Sequence, residues 1–117
     1  MPRIQNAIMR KKKTVLVNKT KVVGELLNIL KREDFIVKYG ENEDMYEVEL
    51  LYSDGECAMT KLSRVSKPGQ RVYVKSEEIR PVMNGRGICI ISTSSGMMSG
   101  ALAKSKSLGG EYICNIW

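Results

Sequence analysis

The chain has 117 residues, 43% of them hydrophobic and 27% charged, and its 19 Lys and Arg against 13 Asp and Glu give a net charge of +6. This composition is typical of a soluble globular protein with one modest core or two small ones, and it does not indicate disorder. The longest apolar stretches, such as Ile88–Ile91, are far shorter than the roughly 20 residues that cross a bilayer, and no signal-peptide pattern precedes them. We therefore expect no membrane partner, and a protein that stays in the compartment where it is made.

The charges are segregated along the sequence. Residues 1–32 carry a net charge of +8, residues 33–56 carry −8, and residues 57–117 carry +6. A nucleic acid is attracted to the two basic regions and repelled by the acidic region between them. The distribution therefore predicts an oriented nucleic-acid footprint, and not a uniformly adhesive surface.

The first half of the chain predicts a helix packed on an antiparallel sheet. Apolar residues from Val22 to Leu30 recur at helical spacing, with Asn18 and Thr20 as candidate caps. From Met45 to Leu50, apolar and acidic residues alternate as in a half-buried strand. The other predicted elements here are a short helix over 3–9, strands over 14–17 and 35–39, a turn at 53–55 and a returning strand over 57–62.

The clearest break in the chain is Ser66-Lys67-Pro68-Gly69, because Pro restricts the residue before it and Gly accepts the positive φ of a turn. We therefore place a domain boundary near Arg64, between domains 1–63 and 64–117. In the second domain we predict strands over 71–75, 88–92 and 112–117, a helical turn over 77–83 and a weak helix over 99–107. The predicted fold class is α+β, with two small domains that each combine short antiparallel strands with one or two packed helices.

The three cysteines, Cys57, Cys89 and Cys114, are odd in number, widely spaced and set in strand-like contexts. This pattern indicates small buried hydrophobes in a reducing compartment, and not a disulfide framework. Because the chain lacks His and any Cys-x-x-Cys pair, we expect no zinc or other metal and no cofactor.

Basic and aromatic side chains alternate with valines in Arg71-Val72-Tyr73-Val74-Lys75. Strand geometry puts Arg71, Tyr73 and Lys75 on one face, where the cations suit phosphates and the ring suits a base or ribose. The alternative is an ordinary solvated strand face. The nearby cations Arg64 and Lys67 favour the RNA-binding interpretation.

Hydroxyl groups cluster in Ser92-Thr93-Ser94-Ser95-Gly96, directly after an apolar strand. Such hydroxyls can contact sugars and base edges, whereas a nucleophilic serine requires a base, and the chain has neither His nor a Gly-x-Ser-x-Gly elbow. We therefore assign no catalytic residue.

Glycines punctuate two further segments of the second domain. Gly85-Arg86-Gly87 lacks the third glycine of a dinucleotide loop, so it predicts a tight turn with Arg86 as a phosphate contact. For Gly109-Gly110-Glu111 two interpretations remain open. One is a simple turn, and the other is a close backbone approach to the Ser/Thr loop in which Glu111 orients the hydroxyls.

These segments together resemble the small-subunit ribosomal protein S8 family of bacterial and organellar type. The matching stretches, which occur in the family's order over nearly the whole chain, are Lys-Arg-Glu-x-Phe-Ile at 31–36, Ser-Lys-Pro-Gly-x-Arg-Val-Tyr-Val at 66–74, Asn-Gly-x-Gly-Ile at 84–88, Ser-Thr-Ser-x-Gly at 92–96 and Gly-Gly-Glu at 109–111.

The resemblance implies a two-domain, non-catalytic protein that binds the central domain of small-subunit rRNA early in assembly, beside neighbouring small-subunit proteins. Its location would be the ribosome, in the bacterial cytoplasm or alternatively in an organellar matrix or stroma. Some bacterial members also repress translation by binding their own operon's messenger. The RNA-binding residues that the family motifs imply are Ser92, Thr93, Ser94, Gly96, Gly110, Glu111 and the neighbourhood of Tyr73. The other candidates are the cations Arg64, Lys67, Arg71, Lys75 and Arg86, and in the first domain the cations Arg3, Lys11 and Lys12 together with the neutral Asn6.

Two segments depart from the family pattern. Members usually open with an acidic-apolar segment of roughly ten residues, whereas this chain opens on Pro2-Arg3-Ile4, so we expect a short first helix and a less stable first domain. Members usually carry Met-Thr-Asp-Lys-Glu-Ala-Arg where this chain has Met98-Ser99-Gly100-Ala101-Leu102-Ala103-Lys104, which predicts a weaker helix with an altered outer face.

Two other functions remain as alternatives. One is a messenger-binding translational repressor that acts outside the ribosome. The other is a nucleotide-using enzyme, which the missing phosphate loop and acid-base groups disfavour.

Overall fold

The computed structural model of the protein describes residues 2–117, with side chains from Arg3 onward. The chain divides into two compact units, one up to Lys61 and one from Leu62. Each unit contains antiparallel strands and helix, which confirms the predicted α+β class. Over this described range, no helix is long and apolar enough to cross a membrane.

The first unit packs its long helix on a three-stranded sheet of order β1-β3-β2. The helix begins after Thr20, whose hydroxyl oxygen accepts a hydrogen bond from the Val23 N–H at 3.1 Å, as the sequence predicted. Its apolar face is fully buried at Leu26, Leu27 and Leu30, as is Val48 in the central strand. The elements are α1 (Pro2–Met9), β1 (Thr14–Asn18), α2 (Lys21–Arg32), β2 (Ile36–Asn42) and β3 (Met45–Leu50).

The predicted turn at 53–55 is confirmed, but the long returning strand over 57–62 is wrong. Only β4 (Tyr52–Ser53) and β5 (Glu56–Cys57) pair, as a two-stranded ribbon. Beyond Cys57 the buried side chains are Met59 and Leu62, three residues apart, which is not the alternation of an extended strand. Residues Leu62–Arg64 form β6 and pair with the last strand, β10 (Gly110–Ile116). Two residues that the sequence assigned to the first domain, 62 and 63, therefore lie in the second unit.

The second unit is a sheet of order β6-β10-β8-β9, with the short β7 also paired to β10. On one face of this sheet, α3 and the segment before β8 cover a small core that includes Ile79, Cys89, Ile91, Met98 and Ala103. The further elements are β7 (Tyr73–Val74), β8 (Ile88–Thr93), β9 (Gly96–Ser99) and α3 (Gly100–Ser105).

Two predicted elements of the second unit are shorter than the sequence suggested. The strand over 71–75 is reduced to Tyr73–Val74, although its predicted alternation of exposed and half-buried residues holds. The helical turn over 77–83 is replaced by two 3₁₀ turns, Ser76–Glu78 and Met83–Gly85. The segment between them is extended because Pro81 disfavours helical geometry before it and because Ile79 is buried in the core.

The cysteines behave as small hydrophobes at two of the three positions. Cys89 and Cys114 are buried, whereas Cys57 is half-buried. Burial raises the pKa of the Cys114 thiol to about 12 and also raises the pKa of Cys89. These two thiols therefore remain protonated at neutral pH.

Candidate nucleic-acid interface

Four strands of the second unit each contribute one side chain to a row across the sheet. Tyr73 on β7 pairs with Glu111 on β10, Glu111 pairs with Ser92 on β8, and Ser92 pairs with Met97 on β9. Directly opposed residues of antiparallel strands point to the same face. Because the adjacent Ile91 points into the core beneath α3, this row, which we call the polar row, lies on the opposite face. Tyr73 is its most accessible member, with 70% of the residue exposed.

A buried hydroxyl, that of Ser66, connects the polar row to the turn at 66–69. Ser66 is only 2% exposed, and its Oγ donates a hydrogen bond to Glu111 Oε2 at 2.7 Å while it accepts one from the Val72 N–H at 3.0 Å. The Arg71 guanidinium donates to the same Glu111 oxygen at 3.0 Å. We call this set the Ser66–Glu111–Arg71 network.

The electrostatics of the network keep Glu111 ionised. The hydrogen bond from Ser66 and then the Arg71 guanidinium lower the pKa of the Glu111 carboxyl below its ordinary value, and the nearby charge of Arg64 acts in the same direction. In return, the hydrogen bond to Glu111 raises the pKa of Arg71. The one acid of the polar row is therefore surrounded by cations and carries little uncompensated charge toward solvent.

The cationic candidates of segment 64–71 lie around this network. The Arg64 Nε donates to the Ser66 carbonyl oxygen at 2.8 Å, which fixes its side chain beside the row. Lys67 and Gln70 exchange backbone hydrogen bonds of 3.0 and 2.9 Å in the predicted turn, and the exposed Lys67 side chain lies at its tip.

The Ser/Thr loop is a two-residue hairpin turn between β8 and β9. Thr93 Oγ1 donates to the Gly96 carbonyl oxygen at 2.8 Å and accepts from the Ser95 N–H at 3.1 Å, so this hydroxyl is used to hold the turn. Gly96 has a φ of +110°, which favours glycine. Ser94 is exposed, and its hydroxyl has no hydrogen-bond partner among residues 2–117. Of the adjacent hydroxyls of Thr93 and Ser94, that of Ser94 is the one available to a ligand.

The Gly-Gly segment approaches the Ser/Thr loop closely. A Cβ on Gly110 would lie 2.1 Å from the Ser92 carbonyl oxygen and 3.2 Å from the Thr93 Cα, so only glycine fits there. Of the two interpretations from the sequence, the close approach is therefore correct. Its second part is wrong, because the Glu111 carboxylate binds Ser66 and Arg71 and not the loop hydroxyls.

Of the remaining candidates in the second unit, Arg86 lies apart from the polar row, whereas Lys75 is two residues beyond Tyr73 in the chain. Arg86 precedes β8, whereas Ser92 is near the opposite end of that strand, so the four strand steps from Ile88 to Ser92 alone separate them by about 13 Å. Lys75 follows Tyr73 with an exposed side chain, and its N–H donates to Glu78 Oε1 at 2.7 Å. The structure therefore brings together the candidates from 64–73 with those from 92–96 and 110–111, and it leaves Arg86 elsewhere.

The first unit carries its own basic site. A shallow cavity of about 200 Å³ is lined by Arg3, Asn6 and Lys12, and the Arg3 guanidinium donates to the Leu16 carbonyl oxygen at 3.4 Å. Lys11 is exposed on the turn after α1, with a φ of +54°. The cavity is also lined by Arg10, which belongs to the basic run 10–13 but is not among the site residues predicted from the sequence.

Two members of the second-unit site were also missed from the sequence. The sequence places Ser66 in the turn 66–69 and in the family motif at 66–74, but nothing in the chain order indicates that it meets Glu111, 45 residues later. Met97 enters the row only through the β8–β9 register. Over the described residues, no group of three or more His, Cys, Asp or Glu is arranged to hold a metal ion.

A separate apolar cleft of about 570 Å³ lies beside α3. Its lining includes Ile79, Val82, Cys89 and Ala101, together with the cations Arg80 and Lys104. The Lys104 Nζ donates to the Ile79 carbonyl oxygen at 3.2 Å. Because Ile79 and Cys89 belong to the core beneath α3, this cleft is distinct from the polar row.

Comparison with known proteins identifies the family of this chain. The model of the family described as ribosomal protein S8 matches residues 1–117. The chain belongs to the ribosomal protein S8 family. The resemblance inferred from the motifs at 31–36, 66–74, 84–88, 92–96 and 109–111 is thereby confirmed.

Relatives align with the whole of this chain. The small ribosomal subunit protein uS8 of Oleidesulfovibrio alaskensis is 44% identical over all of this chain and 93% of its own length. The uS8 of Nitratidesulfovibrio vulgaris strain Miyazaki F is 43% identical with the same coverage, and that of Bartonella henselae is 39% identical over all of this chain and 92% of its own length. The S8 family consists of ribosomal structural proteins, which confirms the prediction that the chain is not an enzyme.

Proposed function

We propose that the protein is a structural constituent of the small ribosomal subunit that binds the central domain of small-subunit rRNA directly and supports subunit assembly. The observation that carries this proposal is the polar row, in which the exposed Tyr73 lies beside Glu111 and Ser92, next to a hairpin turn that presents Ser94. Cations of the segment 64–71 surround it. Family membership supplies the ribosomal context.

Each part of this surface suits a different part of RNA. An exposed tyrosine ring stacks on an unpaired base or a ribose, and hydroxyls and backbone amides contact sugars and base edges. Arg64, Lys67 and Arg71 supply phosphate contacts, which strengthen binding without reading sequence. Stacking requires a base that is not enclosed in a regular helix, so the surface suits an irregular RNA helix.

The basic cavity of the first unit offers a second phosphate contact through Arg3 and Lys12, and the exposed Lys11 on the turn after α1 adds a further cation. In contrast, the β2–β3 hairpin exposes Glu41, Glu43 and Asp44 and repels phosphate. We infer that this acidic hairpin is turned toward neighbouring small-subunit proteins or solvent.

The proposal is tested by crosslinking the purified protein to total small-subunit rRNA with ultraviolet light and mapping the attached nucleotides. We expect crosslinks confined to an irregular helix of the central domain. The affinity for that RNA fragment should fall steeply with salt, because every phosphate neutralised by Lys or Arg releases a condensed counterion. Crosslinks scattered over the rRNA, or an affinity nearly independent of salt, would refute the proposal.

The same surface would accept a messenger that folds into a similar irregular helix. Competition between the central-domain fragment and the chain's own operon messenger tests this extension. Equal displacement by an unrelated messenger of the same length would count against a messenger-specific role.

A further inference from the structure

Glu111 raises a physical problem for a surface that binds a polyanion. A carboxylate beside phosphates weakens binding through like-charge repulsion, yet the structure keeps Glu111 ionised at the centre of the polar row. Its side chain is only 17% exposed, and one of its oxygens accepts hydrogen bonds from both Ser66 and Arg71. These contacts are all within the protein.

Through Ser66, this carboxylate supports the segment between β6 and β7, together with a backbone hydrogen bond from the Tyr112 N–H to the Val72 carbonyl oxygen at 2.8 Å. Residues 65–72 form no helix or extended ladder, and the segment is held at its start by the Val65 N–H bonded to the Ile113 carbonyl oxygen at 2.9 Å. At its end, the Val72 N–H is bonded to Ser66 Oγ, which is itself oriented by Glu111. Val72 is the residue immediately before Tyr73.

We propose that Glu111 is a positioning residue, which holds the segment 66–72 through Ser66 and Arg71 and so fixes Tyr73 for RNA. This proposal rests on the proposed function, since it concerns how that same surface recognises its RNA. The groups that face the carboxylate are Arg64 from β6, Arg71 and Tyr73 from the β7 side, and the neutral Ser92 from β8. The cations offset its charge, so its orienting effect is retained while its repulsion of phosphate is reduced.

The test is a double-mutant cycle on RNA affinity with Ser66→Ala, Glu111→Gln and the double variant. Each protein is titrated with the central-domain rRNA fragment and with a scrambled RNA of equal length. We expect each single variant to bind the specific fragment about tenfold more weakly, the size expected for a lost hydrogen bond to a charged group. The double variant should be no weaker than the weaker single variant, because both changes remove one network.

The matched control is Glu77→Gln, which removes one negative charge from an exposed residue outside the network. Glu77→Gln should bind both RNAs as tightly as the unmodified protein or slightly more tightly. Glu111→Gln should keep that affinity for the scrambled RNA but bind the specific fragment more weakly. Amide hydrogen exchange at Val72 provides a readout independent of RNA, and it should accelerate in Ser66→Ala while amides of β8 keep their protection.

Several results would overturn the inference. Losses that add in the double variant would mean that Glu111 contacts RNA directly, and tighter binding of both RNAs by Glu111→Gln would mean that the carboxylate only repels phosphate. Unchanged Val72 exchange in Ser66→Ala would also contradict it. If the unmodified protein fails to distinguish the two RNAs, the proposed function fails instead, which separates the two conclusions.

Discussion

Replacing Tyr73 with alanine should weaken RNA binding while leaving the fold intact. The residue is 70% exposed, so of a tyrosine's surface area of about 200 Å² only roughly 60 Å² is buried. Removing the side chain should therefore lower the free energy of unfolding by at most about 1.5 kcal/mol. A fully buried aromatic residue would cost about 3 to 5 kcal/mol. Stacking on a base contributes about 1 to 3 kcal/mol, so we expect affinity for the central-domain fragment to fall by roughly 5- to 150-fold.

The assay combines thermal melting with RNA titration of the same samples. Val74→Ala is the matched control, because Val74 is the next residue and packs against the core beneath α3. It should lower the melting temperature while its folded fraction binds RNA normally. Tyr73→Phe should retain most of the affinity, since it keeps the ring. If Tyr73→Ala loses stability like a core variant and its folded fraction binds with full affinity, Tyr73 does not belong to the RNA-binding surface.

Three further predictions concern the residues around the row. Thr93→Ala should lose about 1 to 3 kcal/mol of stability, because it removes two hydrogen bonds of the turn. Ser94→Ala should melt like the unmodified protein and lose only about 0.5 to 1.5 kcal/mol of specific RNA affinity. Equal effects of the two variants in both assays would contradict these separate roles. Gly110→Ala should lower the free energy of unfolding by about 3 kcal/mol, because the new Cβ meets the Ser92 carbonyl. Gly69→Ala is the control and should be nearly neutral in urea unfolding, because its Cβ would meet nothing within 4 Å. Its partners lower the pKa of Glu111 from the ordinary 4.5. The folded protein should therefore be more stable than Glu111→Gln by the full amount above pH 4.5, and this difference should disappear as the pH falls through the lowered pKa. A stability difference that persists in strong acid would refute the ionic contribution.

The sequence predicted best where a single periodicity decides the structure. Helix α2 has an apolar face that repeats over three turns and a threonine cap, and the sequence predicts both. Strand β3 is predicted by its alternation of apolar and acidic residues, and β8 by its short continuous apolar run. Their patterns are local, so no distant contact was needed to interpret them.

The errors occurred where distant contacts decide the structure. The strand predicted over 57–62 fails because Leu62 pairs with Ile116, 54 positions away in the chain, and nothing local in those residues indicates this. The helical turn predicted over 77–83 fails partly because Ile79 is buried in the core, in addition to the local effect of Pro81. Likewise, the contact of Ser66 with Glu111 depends on the order of the strands, which the residue pattern alone does not provide.

An irregularity in β10 explains how one sheet face carries both buried apolar residues and the polar row. Tyr112 pairs with Ile91 and Cys114 pairs with Ile90, so Ile113 is skipped in the register. In a regular strand, Glu111 would share a face with Ile113 and Asn115. With one residue skipped, Glu111 lies on the same face as Cys114 and Ile116, which are buried.

The skipped residue has a second use, because its carbonyl oxygen accepts hydrogen bonds from the N–H groups of Val65 and Ser66, at 2.9 and 3.3 Å. A bulge therefore turns Glu111 toward the polar row and also anchors the start of the segment that Glu111 holds at its other end. A straight β10 would place the carboxylate under α3, where Tyr112 now packs, and would leave the buried Ser66 hydroxyl without its acceptor. The geometry of the polar row thus depends on one extra residue in the central strand of this unit as much as on the side chains of the row itself.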